Sequence, residues 1–194
     1  MFDAVIRNLP FLMGGFWITV KLTSFALLGG IPLGILVGLG RISKKKWVYY
    51  PVTFYVNLIR NIPLILVIFW FYFVMPIIIG SPMDPFPSAV ISFIIFEATY
   101  FGEILRAGYQ SVSKGQIEAG YSTGLNYIQT TRYILIPIAV RRMLPSMITQ
   151  SIVTYQDTCL AFVIGLPEFV RRTTIVDNIE VRSISFLALW PFCS

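Results

Sequence analysis

An all-α, polytopic transmembrane helical bundle is the fold class this sequence predicts, and three observations predict it. Of 194 residues, 56% are hydrophobic and only 12% charged, about half the charge of a soluble domain. Apolar runs long enough to cross a hydrocarbon core of about 30 Å recur along the chain. The basic residues sit in short segments between those runs. Sixteen Phe, ten Tyr and four Trp suit a lipid-facing and interfacial surface. The net charge of +6 therefore reads as positive-inside patterning and not as a nucleic-acid footprint. The whole chain, 1–194, reads as a single transmembrane domain. It contains no His, which removes His-based triads, metal sites and proton relays. Cys159 and Cys193 are far apart and make no metal-binding spacing.

The first span is predicted from Phe11 to Leu39. It is far longer than a signal-peptide core, so it reads as uncleaved. Gly30, Gly34 and Gly38 recur every four residues and lay a small-residue stripe on one helix face, which permits close approach of a second helix. Lys21 is its one charge and is expected to snorkel to the near interface. Arg41, Lys44, Lys45 and Lys46 follow at once, placing that loop in the cytoplasm and the N-terminus outside.

A second span is predicted from Pro51 to Ile79, with Arg60 and Pro63 near its entry. The Pro-rich turn from Gly80 to Pro87 is external. The third span, Ser88 to Leu105, carries Glu97 and Glu103. An ionisable group inside a span is expensive unless partnered, so both are functional candidates. Glu103 stands three residues before Arg106, the spacing of a helical ion pair. Glu97 has no local partner.

Residues 106–142 form a polar island carrying Arg106, Lys114, Arg132, Arg141 and Arg142, again on the cytoplasmic side. Two short helices are expected within it. Ser113 caps the first, with Gln116 completing a capping box, and Gly124 ends it. Asn126 opens the second, with Gln129 as its box partner, and Pro137 closes it. The fourth span, Met143 to Leu166, is unusually polar: Gln150, Thr154, Gln156, Asp157 and Thr158 lie on it. With Gly165 and Pro167 it reads as an interrupted helix lining a pathway. The charged segment from Glu168 to Arg182 is external. The apolar run from Ile184 to Phe192 is too short to span, so the sequence predicts four complete spans and a truncated fifth.

No G-x4-G-K-[ST] phosphate loop and no G-x-S-x-G nucleophile motif occurs. Glu97 and Asp157 would be the acid pair of an intramembrane hydrolase, but no spacing in the sequence fixes their geometry.

One motif is more specific. Glu118, Ala119, Gly120, Gly124, Ile134 and Pro137 fit the pattern E-A-A-x3-G-x9-I-x-L-P, with Gly120 for the second Ala and Ile136 for Leu. This segment resembles the coupling loop of ABC-importer permeases. Arg60, Pro63 and Leu64 resemble the R-x-x-P-L segment of permeases for polar amino acids. Residues 96–108, and Gln156-Asp157-Thr158 with Arg171 downstream, look like the glutamate/aspartate branch. The likeness extends to about Arg182.

The resemblance implies a five-span permease fold whose hairpin, 113–137, couples a partner to the spans. Glu118, Ala119, Gly120, Gly124, Ile134 and Pro137 would meet an ABC ATPase subunit. Arg60, Glu97, Glu103, Gln156, Asp157 and Thr158 would line the substrate pathway. A second permease subunit, identical or related, and a periplasmic or surface solute-binding protein complete the expected assembly in a bacterial inner membrane. ATP would be used by the partner, with no cofactor or metal on this chain and no catalysis by it. A secondary amino-acid transporter or channel, uncoupled from ATP, is the alternative.

Overall fold

The computed structural model describes residues 6–180, and every element among them is helical. Helix α1 is Leu9–Ile42, 34 residues, opening with Pro10 in its first turn, where the missing N–H costs nothing. After it comes α2, Lys46–Arg60. The predicted second span then breaks at Asn61–Pro63, because a residue before proline is driven out of the helical region. It resumes as α3, Leu64–Phe69, a π-helical turn, Trp70–Val74, and α4, Met75–Ile79. The axes on either side of the break differ by 103°. Helix α5 is Pro85–Gln110. The island supplies α6, Lys114–Ser122, and α7, Tyr127–Thr130, then a second π turn, Thr131–Leu135. Helix α8, Ile136–Asp157, passes into a 3-10 segment, Thr158–Ile164, and α9, Phe169–Glu180, follows.

Helices α1 and α5 are each long and apolar enough to cross a membrane, and the bent pair α2 to α4 makes a third such unit. α1 and α5 run parallel through the glycine stripe. Gly30 lies against Glu97, Gly34 against Phe101, and Gly38 against Gly102 and Leu105. A Cβ on Gly38 would stand 2.9 Å from the Gly102 carbonyl oxygen, so only glycine permits this separation. In a bilayer such contact gains dispersion energy, not transfer from water, which makes the closeness itself the stabilising feature. The core around it takes Leu22 and Ala26 from α1, Ile68 from α3, Phe93 from α5, and Ala161 and Ile164 from the 3-10 segment.

Two expectations need correction. Pro137 does not close the second island helix. The chain stays helical through it, with Pro137 in the first turn of α8. The reason is the π turn just upstream, whose wider ring accommodates a residue that lacks an N–H and would crowd the carbonyl four residues back. The same device carries the chain through Pro76, just after the π turn at Trp70–Val74. The second correction is at Asn61–Pro63, where the sequence predicts a kink near the entry of the second span and the chain instead breaks by 103°. The expected truncated fifth span lies outside the described residues.

Candidate functional site

The island folds as its caps dictate. Ser113 accepts from the Gln116 amide while the Gln116 side chain accepts from the Ser113 amide; Asn126 and Gln129 repeat the arrangement. Both capping boxes were legible from sequence. Gly124, at φ +84°, ends α6. Its amide donates to the Tyr121 carbonyl and that of Leu125 donates to the Gly120 carbonyl, the paired bonds of a Schellman turn. Gly120 is buried, and a Cβ there would lie 2.6 Å from Ile134 Cδ1. Two residues of the matched motif thus pack on each other and close the hairpin. Glu118 and Ala119 lie exposed on its outer face, with Tyr121, Tyr127 and Ile128 also presented to the surroundings. Pro137 is exposed on the first turn of α8.

The six expected pathway residues divide into two groups. Arg60 and Glu103 line a cavity of about 580 Å³ between α5, α8 and the end of α2. Glu103 pairs with Arg106 at 2.9 Å, as its spacing predicts. It also accepts from Arg41 Nε at 2.8 Å and stands 3.7 Å from Arg60. Those two partners come from the ends of α1 and α2, a convergence that sequence spacing does not reveal. The Arg60 guanidinium further rests over the Tyr100 ring, 4.9 Å from its centre. Glu97 is fully buried and accepts a hydrogen bond from the Gln150 amide at 2.9 Å. It is therefore tied across to α8, and its link is an amide and not Arg60 or Arg106. Gln150 also reaches the cavity wall. The sequence marks it as a polar residue in a span, but only the packing makes it the partner of Glu97.

Gln156 and Thr158 belong to the other group. They face a small crevice shared with Thr19 and Glu168, while Asp157, at the end of α8, is half-buried and lines neither cavity. Glu168 was not expected as a site residue. It is 1% exposed, and its carboxylate accepts from the Val170 and Arg171 amides at 2.7 Å each, capping α9. Burial pushes its pKa up to about 7, against the pull of those amides and of the Arg171 charge. Arg172 fastens α9 to α1: it donates to the Phe11 carbonyl at 2.7 Å and lies over the Phe11 ring. Gly14 and Gly15 leave room for it. Among the described residues no group of acidic or cysteine side chains has the arrangement of a metal site.

Comparison with known proteins gives consistent matches. The family described as "Binding-protein-dependent transport system inner membrane component" matches residues 30–190. The glutamate/aspartate import permease protein GltK of Escherichia coli O157:H7 is 36% identical over 194 residues, 95% of this chain and 87% of the relative. The probable glutamine ABC transporter permease protein GlnP of Bacillus subtilis (strain 168) is 37% identical over 172 residues, 89% of this chain and 78% of the relative. A crystal structure of an amino acid ABC transporter with histidines superposes with a TM-score of 0.88 at 28% identity, covering 98% of this chain and 90% of that one.

Proposed function

We propose that this chain, which belongs to the family of binding-protein-dependent transport system inner membrane components, is the membrane-spanning permease subunit of an ABC importer for polar amino acids. The observation that carries this reading is the hairpin from Ser113 to Pro137. It is a doubly capped, glycine-turned element bearing the coupling motif, joined without a break to the polar helix α8. Coupling requires a stiff lever. Two capping boxes, a Schellman turn and the Gly120–Ile134 contact supply one. Glu118 and Ala119 are the face offered to an ATPase subunit, and Gly124 holds the turn.

On this reading ATP is bound and hydrolysed by the partner, and this chain supplies no cofactor site. The pathway runs from the crevice at Gln156 and Thr158, past Asp157 and the Glu97–Gln150 pair, into the cavity at Glu103 and Arg60. Substrate reaches it from a solute-binding protein, between this subunit and a second permease chain. Glutamate or aspartate is the substrate we assign within the class. The likeness of residues 96–108 to the acidic-amino-acid branch supports that choice, as does the GltK similarity. Import works by alternating access, and ATP shifts the inward/outward balance only by its differential affinity for the two states.

The test is uptake of labelled amino acids into proteoliposomes holding the complete complex, with the purified permease alone as control. ATP-dependent uptake by the complex, and no ATP hydrolysis by the permease alone, is the expected result. Gradient-driven uptake without ATP would instead establish a secondary transporter.

A further inference from the structure

The cavity between α5 and α8 carries a charge imbalance. Its wall holds three guanidiniums, Arg60, Arg106 and Arg142, against one carboxylate, Glu103. Glu103 is already engaged closely by Arg106 at 2.9 Å and, from behind the wall, by Arg41 at 2.8 Å. Arg60 stands farther off, at 3.7 Å, with its side chain 41% exposed. Arg142 meets no acid among the described residues; its Nη1 donates to the Ser111 carbonyl at the end of α5. The one other acid near the inner end is Glu97. It is fully buried and bonded to Gln150, the residue that reaches the wall in its place.

We propose that this cavity is an anion-accepting vestibule that favours substrates with an acidic side chain, with Arg142 as a specificity-determining residue and Arg60 as its companion. The proposal rests on the import reading above and adds the residues that discriminate. A concave, low-dielectric wall with excess positive charge focuses its field on whatever anion enters. Glutamate and glutamine are nearly the same size and share the α-amino and α-carboxylate groups. At neutral pH glutamate carries a net negative charge and glutamine none, so the field separates them where shape does not. A guanidinium is suited to the task, since its planar fork matches a carboxylate in a bidentate contact. The donors of Arg142 not used on Ser111 are the free ones. The arginines are also well placed for release: Arg60 and Arg142 are exposed, so each holds an anion weakly enough to let it go.

The test measures the ratio of labelled L-glutamate to L-glutamine uptake by the reconstituted complex. Arg142→Gln is expected to lower that ratio about fivefold, the effect of one partly screened charge, and Arg142→Lys, which keeps the charge but not the fork, to restore part of it. Ser146→Asp places a carboxylate one helical turn from Arg142, where it neutralises that charge without removing the side chain, so it reads the same ratio even where Arg142→Gln fails to assemble; a fall is expected there too. If Arg142 only caps α5, both substrates decline together and the ratio stays constant, which overturns the proposal. A wild-type complex that imports glutamine but not glutamate overturns it equally. A wild-type complex that imports arginine but neither glutamate nor glutamine also overturns it and leaves the import reading standing, whereas one that imports no amino acid with ATP refutes the import reading itself.

Discussion

Glu103 gathers more charge than any other acid among the described residues, with Arg41, Arg60 and Arg106 converging on one carboxylate. Replacing it by Gln leaves Arg41, whose side chain is 12% exposed, without a counter-charge. Removing one partner from a buried pair is costly because the other charge stays desolvated. Glu103→Gln should destabilise the solubilised complex by about 3 kcal/mol, seen as a lower apparent Tm. Glu168 yields a pH effect of definite sign. Its pKa is about 7 in the fold against an ordinary 4.5. Between those values the folded state binds more protons than the unfolded one, so stability falls as pH rises through the window and levels off above about 7. Comparing the melting of wild type and Glu168→Gln at about pH 5 and pH 8 checks this; the variant should show a weaker dependence than wild type. At this scale the sequence was half legible. The Glu103–Arg106 pair follows from helical spacing, as does the presence of buried acids. The partners Arg41, Arg60 and Gln150 depend on how separate helices meet, which spacing within one helix does not encode.

The elements were more legible, because caps, turns and glycine stripes are local chemistry. Both capping boxes, the Gly124 turn and the close-packing face of α1 are written in short-range patterns, and each formed. Proline was misread at Pro137 because a sequence pattern shows the missing N–H but not the π turn that accommodates it. The hairpin offers a paired prediction. Gly124, at φ +84°, tolerates no β-branched residue without strain. Gly124→Val should therefore abolish most ATP-dependent uptake while the protein still inserts and assembles. Gly120→Ala should leave uptake within about twofold, because the nearest atom its Cβ meets, Ile134 Cδ1 at 2.6 Å, ends a flexible side chain, and Thr130 Cγ2 at 3.0 Å need yield only slightly. Transport assays on both, beside a membrane-insertion control, decide whether the turn or mere bulk matters.

For the whole molecule, the parallel contact of α1 with α5 brings the basic loop at Lys44–Lys46 and the end of α5 to one side, the side of the hairpin. Positive-inside patterning assigns that side to the cytoplasm. The single substitutions Lys45→Cys and Lys114→Cys, in a background with both Cys159 and Cys193 replaced by Ser, should react with a membrane-impermeant thiol reagent in inverted vesicles and not in intact cells. Labelling of the two from opposite faces would break the parallel arrangement. The π turn at Thr131–Leu135 has a rotational consequence for the assembly as a whole. Each residue of an α-helix advances the chain by about 100°, and a π turn amounts to one inserted residue. That insertion fixes the angular phase of α8 relative to the hairpin. Without it, the stripe of Arg142, Ser146 and Gln150 would swing about a quarter-turn around the axis, carrying the amide of Gln150 away from Glu97. The hairpin and the face of α8 that carries Arg142, Ser146 and Gln150 are thus set in register by the five residues of one π turn.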